Sequence, residues 1–142
     1  MTIIIKKLDK KTLTKNIIKI NKITKIGNWK FKDFNINLPS KWEKSLLAIN
    51  KDNDILGYAI VSKKRKSLHI HLLMVSDRFK RSGIGTKLID EISSSTKSNL
   101  TVKTFTHLRS TIKFYLKNKF KIVSSNHKIT ILEKKKLNFK VF

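Results

Sequence analysis

Cysteine is absent from this chain, which excludes disulfide bonds, thiolate metal sites and a cysteine nucleophile. The absence also suits a reducing compartment, and the cytoplasm is the expected location. Proline occurs once, at Pro39, and glycine four times, so no stretch reads as a linker between domains. Long apolar runs are missing too. Thr2-Ile3-Ile4-Ile5 gives way at once to Lys6-Lys7, too short for a signal peptide. No segment approaches the roughly 20 apolar residues of a membrane span. Acidic residues are scarce: 9 Asp and Glu stand against 33 Lys and Arg, a formal net charge of +24. Such an excess draws polyanions, nucleic acid among them. The lysines are scattered, however, with short clusters only at Lys63 to Lys66 and Lys134 to Lys136. Ile and Asn are abundant as well, so the charge reads as a solvated basic surface of compositional origin.

What the chain does have is periodicity. At 142 residues it is expected to form one domain, 1–142, with a substantial core. Thr2 to Leu8 reads as an edge strand. Leu13, Ile17, Ile18, Ile20 and Ile23 recur at helical spacing. Asn28 to Ser40 fits neither period, and Lys41-Trp42-Glu43 after Pro39 suggests a short helix or turn. Ser45 to Asn50 and Ile55 to Lys63 read as strands flanking a polar hairpin turn, with Ser67 to Ser76 as a third. Gly83 to Ser94 and Arg109 to Asn118 read as helices on either side of a strand at Leu100 to Thr106. Lys121 to Ser124 and Lys128 to Glu133 close the series. The order β-α-α-β-β-β-α-β-α-β-β implies an α+β fold, a mixed sheet with helices packed on its faces.

One connection carries chemistry. The apolar run Leu72 to Val75 feeds a basic loop, then Gly83-Ile84-Gly85, then a helical stretch. Unpaired N–H groups at such a helix start, with the positive end of its dipole, make a phosphate site. The glycines allow close backbone approach, and Lys80, Arg81 and Lys87 add positive charge. A Rossmann loop is excluded because Leu88 occupies the third glycine position. A P-loop is excluded because Gly85-Thr86-Lys87 does not supply Gly-Lys-Ser/Thr.

The segment resembles motif A of the GCN5-related N-acetyltransferases, or GNAT family, which bind acetyl-coenzyme A. That motif is a strand ending in valine, an aromatic, then Arg/Gln-x-x-Gly-x-Gly/Ala; here it reads Leu73-x-Val75, Phe79, then Lys80-Arg81-Ser82-Gly83-Ile84-Gly85. Lys80 replaces the usual arginine or glutamine. A second match, Tyr115-Leu116-Lys117-Asn118-Lys119-Phe120, is similar to the family's late Tyr-x-Lys-x-Gly-Phe, with Lys119 in place of glycine and Leu108 where an asparagine is frequent. The resemblance implies a mainly antiparallel central sheet with helices on both faces. It implies acetyl-coenzyme A as cosubstrate, held by Leu73, Met74, Val75, Lys80, Arg81, Ser82, Gly83, Ile84, Gly85 and Thr86. Leu73 N–H would donate to the thioester oxygen, and Tyr115 would be the general acid toward the coenzyme sulfur. A homodimer is an arrangement frequent among relatives.

His69 and His71 lie on one face of the third strand by alternation. The string His69-Ile70-His71-Leu72-Leu73-Met74-Val75 is similar to the His-x-His-x-Leu-x-Val of arylalkylamine N-acetyltransferases. The pair is either the base that takes a proton from the acceptor amine or two half-exposed strand residues. His107, His127, Asp90 and Glu91 read as bystanders, and no metal site is expected. Trp29, Phe31, Phe34 and Trp42 line an acceptor pocket or belong to the core. The acceptor expected is a small-molecule amine. The alternatives are aminoacyl-tRNA or a ribosome-associated protein docked on the basic surface, and a non-catalytic nucleic-acid-binding module of the same fold.

Overall fold

The structure, a computed structural model, describes residues 1–24 and 29–136. Strand β1 (Ile4–Lys7) leads into helix α1 (Lys10–Ile23), followed by two one-turn helices, α2 (Phe31–Phe34) and α3 (Lys41–Lys44). Then come β2 (Leu46–Ile49), β3 (Ile55–Lys64) and β4 (Ser67–Val75). Helix α4 (Ile84–Ser94), β5 (Asn99–Phe105), α5 (Arg109–Lys117), β6 (Lys121–Ser125) and β7 (Ile129–Lys134) complete the order. All seven strands share one sheet, ordered β1-β2-β3-β4-β5-β7-β6. Every neighbouring pair is antiparallel except β4 and β5. This is the α+β architecture expected from the element order. The segment that fitted neither period resolves into α2 and its flanks, although Asn28 itself lies outside the described residues.

Asp9 starts α1 by accepting the Thr12 N–H at 2.8 Å, which satisfies one of the donors a helix start leaves over. The helix buries Leu13 and Ile20, with Ile17 and Ile23 partly covered. Ile18 is solvent-exposed, contrary to its place in the expected apolar set. Adjacent helical residues diverge by about 100°, and here Ile17 turns toward the core while Ile18 turns to solvent. At the far end Thr24 bonds the Tyr58 hydroxyl at 2.6 Å, fixing α1 to β3. Helix α1 and Phe34 cover one side of the sheet through Tyr58, Ile60, Leu72 and Met74. Helices α4 and α5 cover the other through Ala59, Val61, Leu68 and Ile70.

Two features of β4 position the site. The β4–β5 ladder runs from Ser67↔Asn99 only as far as Ile70↔Val102, so the strands part beyond that pair while β5 stays bonded to β7 through Phe105. In addition, Ile60 faces Leu72 while Val61 faces Ile70, which leaves His71 as the extra residue of a β-bulge. The bulge reverses the strand's faces: Leu68 and Ile70 pack toward α4 and α5, whereas Leu72 and Met74 pack toward α1.

Gly57, opposite Val75, has no room for a side chain. A Cβ there would lie 2.5 Å from the Met74 carbonyl oxygen and 3.3 Å from Ile84 Cγ2. Gly57→Ala should therefore cost about 1–3 kcal/mol of stability through overpacking. The measurement is the urea unfolding midpoint, and an unshifted midpoint contradicts this packing.

Candidate active site

The parted half of β4 presents its backbone to open space. Ser76 N–H donates to Leu56 O at 2.8 Å, which makes residues 56 and 76 a hydrogen-bonded pair. In an antiparallel ladder such pairs alternate, so Tyr58 and Met74 are bonded to each other, whereas Ala59 with Leu73 and Gly57 with Val75 are not. The N–H and C=O groups of Leu73 and Val75 therefore point away from β3, into the gap left by β5. A ligand with amide groups of its own can complete that edge as an added strand.

Beyond the edge, a 3-10 turn (Asp77–Phe79) and a short loop deliver the chain to α4. Arg81 adopts a left-handed conformation, and so does Gly83, with φ of 76° at the helix N-cap. No side chain caps this start. Its leading N–H groups and dipole face a cavity of about 800 Å³. The cavity runs between the α4 start, the free edge of β4 and one face of α5. Of the residues expected to hold the cosubstrate, Leu73, Met74, Val75, Lys80, Arg81, Gly83, Ile84, Gly85 and Thr86 line it. Ser82 does not, and Lys87 lies exposed outside it. Lys80 also pairs with Asp77 at 2.8 Å.

Helix α5 supplies the opposite wall, including Ser110, Thr111, Phe114 and Asn118; Asn118 lies within the second motif, but none of the four was expected to line the site. Their spacing of three and four residues marks one helical face, the signal that was there to read. Phe114 sets the width of the cleft. Its ring lies 2.8 Å from where a Cβ of residue 85 would sit, so glycine at Gly85 is what lets α5 approach the α4 start. A long, narrow ligand with phosphates at one end and amides at the other fits this donor set. That is the chemistry of coenzyme A.

Tyr115 belongs to the same wall and is buried against Phe114 and Phe120 in edge-on contacts at 5.2 and 5.1 Å between ring centroids. The residue is almost wholly buried, yet it lines the cavity. Burial pushes the phenol above its ordinary range, so it holds its proton at every physiological pH.

The two histidines share a face as expected, with ring centroids 4.9 Å apart. That face is the one opposite Tyr115. His71 points toward Trp29, its ring centroid 6.5 Å away, while Leu68 and Ile70 of the same strand pack with Tyr115. The structure thus brings the tyrosine and the cosubstrate residues into one cleft and sets the histidines behind β4. His69 Nδ1 bonds the Thr101 hydroxyl at 2.9 Å, and His71 Nε2 bonds the Ser62 hydroxyl at 2.6 Å. Burial lowers both imidazoles to about 4; His71 and then Lys64 and Lys103 contribute at His69, Lys64 and Lys41 at His71. Both are neutral at pH 7. His107, His127, Asp90 and Glu91 are exposed. Trp29, Phe34 and Trp42 join the core on the α1 side, and Trp29 alone of these reaches the histidine pair.

A family model describing an acetyltransferase (GNAT) domain matches residues 30–129. The chain belongs to that family. Acetyl-coenzyme A is accordingly its cosubstrate, and the chain is an N-acetyltransferase. Ard1 from Thermoplasma volcanium has a similar fold, with TM-score 0.79 and 20% identity over 97% of this chain and 100% of that one. The ribosomal-protein-S18-alanine N-acetyltransferase from Escherichia coli gives 0.78 and 14%, each chain covered to 99%. Arabidopsis thaliana Naa50, in complex with the bisubstrate analogue CoA-Ac-MVNAL, gives 0.76 and 19% over 94% of this chain and 99% of that one. No curated protein matches the sequence. Among the described residues no helix is long and apolar enough to cross a membrane.

The histidines make stability depend on pH. Their folded values near 4 lie below the ordinary 6.5, so between these limits the unfolded chain binds protons that the folded one does not. Their contribution is complete above pH 6.5 and is lost as pH falls toward 4. His69→Gln/His71→Gln should flatten this acid limb when unfolding midpoints at pH 7 and pH 4.5 are compared. Parallel pH profiles for the two proteins contradict it.

Proposed function

We propose that this chain moves an acetyl group to a primary amine by direct attack across the gap between β4 and β5. When bound, acetyl-coenzyme A supplies an acetyl group activated as a thioester. The observation that carries the reading is the convergence of the unpaired Leu73 N–H and the buried Tyr115 on one cleft. Leu73 N–H donates to the carbonyl oxygen as negative charge grows there, an effect worth about 3 kcal/mol for such a donor. Tyr115 gives its proton to the sulfur as the carbon–sulfur bond breaks.

The proton shed by the nitrogen passes to the histidine side. His71 stands one residue past the last β4–β5 pair and only two before Leu73, about 7 Å along the strand. Its Nδ1 is the ring nitrogen left to take that proton, directly or through water, since Nε2 is engaged by Ser62. His69 lies about 13 Å from Leu73 by the same measure. His71 is therefore the base and His69 its neighbour. A neutral imidazole of low basicity does not strip an ammonium; it takes the proton once the nitrogen has bonded to carbon and become acidic. The acceptor thus arrives as the free amine. Similar folds act on a ribosomal protein's alanine and accommodate a peptide-bearing bisubstrate analogue, so peptide amines as well as the small-molecule amines expected from sequence suit this architecture.

Tyr115→Phe should lower kcat by about 10²- to 10⁴-fold with little change in KM for acetyl-coenzyme A. His71→Ala should lower kcat while His69→Ala has the smaller effect. Thiol release across arylalkylamines, amino sugars, peptides and aminoacylated tRNA measures both, and unchanged turnover in Tyr115→Phe removes its role.

A further inference from the structure

Among the described residues, the face of the sheet that carries the histidines is only partly covered. Helix α1 and Phe34 reach as far as Leu72 and Met74, and the α1-side core includes no residue of β5 or β7. Along this open strip the polar groups are linked. The Thr101 hydroxyl meets His69 Nδ1 at 2.9 Å and the Ser67 hydroxyl at 3.3 Å. Ser67 and Thr101 in turn line a second cavity, about 650 Å³, beneath the β3–β4 turn. Lys64, Arg65 and Lys66 line it as well, with Glu133 as the one acidic wall residue among the described residues. Glu133 pairs across the strands with Lys121 and Thr101, so its charge is faced by another cation. Lys103 follows Thr101 on the same face of β5, and Lys64 and Lys103 are the lysines that bear on His69. An ordered path of donors and cations therefore runs from the active gap to a cationic recess.

Distance decides what could use it. Leu73 and Ser67 are six residues apart on β4, about 20 Å at the rise of a strand. A small amine acceptor ends well short of that. An extended peptide whose first residue lies beside Leu73 advances about 3.3 Å per residue, so its seventh residue reaches Ser67 and the sixth to eighth lie within reach of the long side chains of the recess. We propose that the acceptor is an extended peptide whose α-amine enters the gap beside Leu73 and whose acidic side chains settle among Lys64, Arg65 and Lys66. This rests on the acetyltransferase reading of the gap and names its substrate class. The chemistry agrees with the free-amine requirement. An α-amine, ordinarily near 8, is partly neutral at pH 7, whereas a lysine side chain near 10.4 is almost wholly protonated. The cations along the strip further disfavour a charged amine, and attract carboxylates beyond it.

The test uses two octapeptides with the same first five residues, one carrying Asp and Glu at positions six to eight, the other Asn and Gln. Thiol release from acetyl-coenzyme A should give the acidic peptide a kcat/KM about tenfold higher at low salt, the margin shrinking as salt rises. Lys64→Glu/Arg65→Glu/Lys66→Glu should abolish or invert that preference while calorimetry shows coenzyme A binding intact. Fluorescence anisotropy of the same two peptides, labelled at the C-terminus, reads the preference without turnover. Equal kcat/KM and equal affinity overturn the proposal while leaving the acetyltransferase reading standing. Binding of an eight-nucleotide RNA but of neither peptide also overturns it and marks a nucleic-acid face. Failure of the unaltered protein to bind coenzyme A strikes the underlying reading instead.

Discussion

The parting of β4 from β5 after Ile70 and Val102 is the constraint on which the rest depends. A sheet normally spends its backbone groups on its neighbours, and a buried N–H or C=O left over costs as much as a lost hydrogen bond. Here the middle of a seven-stranded sheet holds an interrupted seam, with Leu73 and Val75 aimed into it. The fold tolerates this because the seam opens on the cleft, where a ligand with amides of its own can take β5's place, as we propose for the pantetheine arm. The bulge at His71 matters for the same reason. It turns Leu72 and Met74 into the α1-side core and leaves Leu73 and Val75 on the α4 side, so both faces of the split strand stay packed.

Electrostatics divide the work between the two sides of that seam. On one side, the uncapped α4 start and Arg81 give the cavity positive potential, while burial keeps Tyr115 protonated. On the other, neutral histidines sit among lysines. Lys41 is the most deeply placed of these: its ammonium is buried and donates to Phe34 O and, at 2.7 Å, to Ile36 O. Desolvation lowers it to about 8. It holds together the carbonyls at the end of α2, beside the wall that carries Trp29, rather than acting on an acceptor.

Much of this was legible in the sequence, for identifiable reasons. The glycines at Gly83 and Gly85 after an apolar strand, and Tyr115 before Phe120, gave the family resemblance and most of the cavity lining. Alternation placed His69 and His71 together. The bulge was not legible because Leu72-Leu73-Met74-Val75 is apolar throughout, as a strand buried on both faces must be, and an unbroken period of two cannot be distinguished from a reversed one. Ser62 and Thr101 carried no local signal, since their roles come from cross-strand pairing with the histidines. Ile18 was misplaced because five apolar residues in α1 exceed what its buried face can take.

The central claim, that the amides of Leu73, Val75 and the α4 start are the groups that hold the cosubstrate, is tested most directly by backbone amide hydrogen exchange. NMR spectra of the protein with and without acetyl-coenzyme A should show exchange at Leu73, Val75 and Gly83 to Thr86 slowed strongly on binding, with β1 and β2 unchanged. Binding that leaves those amides exchanging at their free rates would contradict the account.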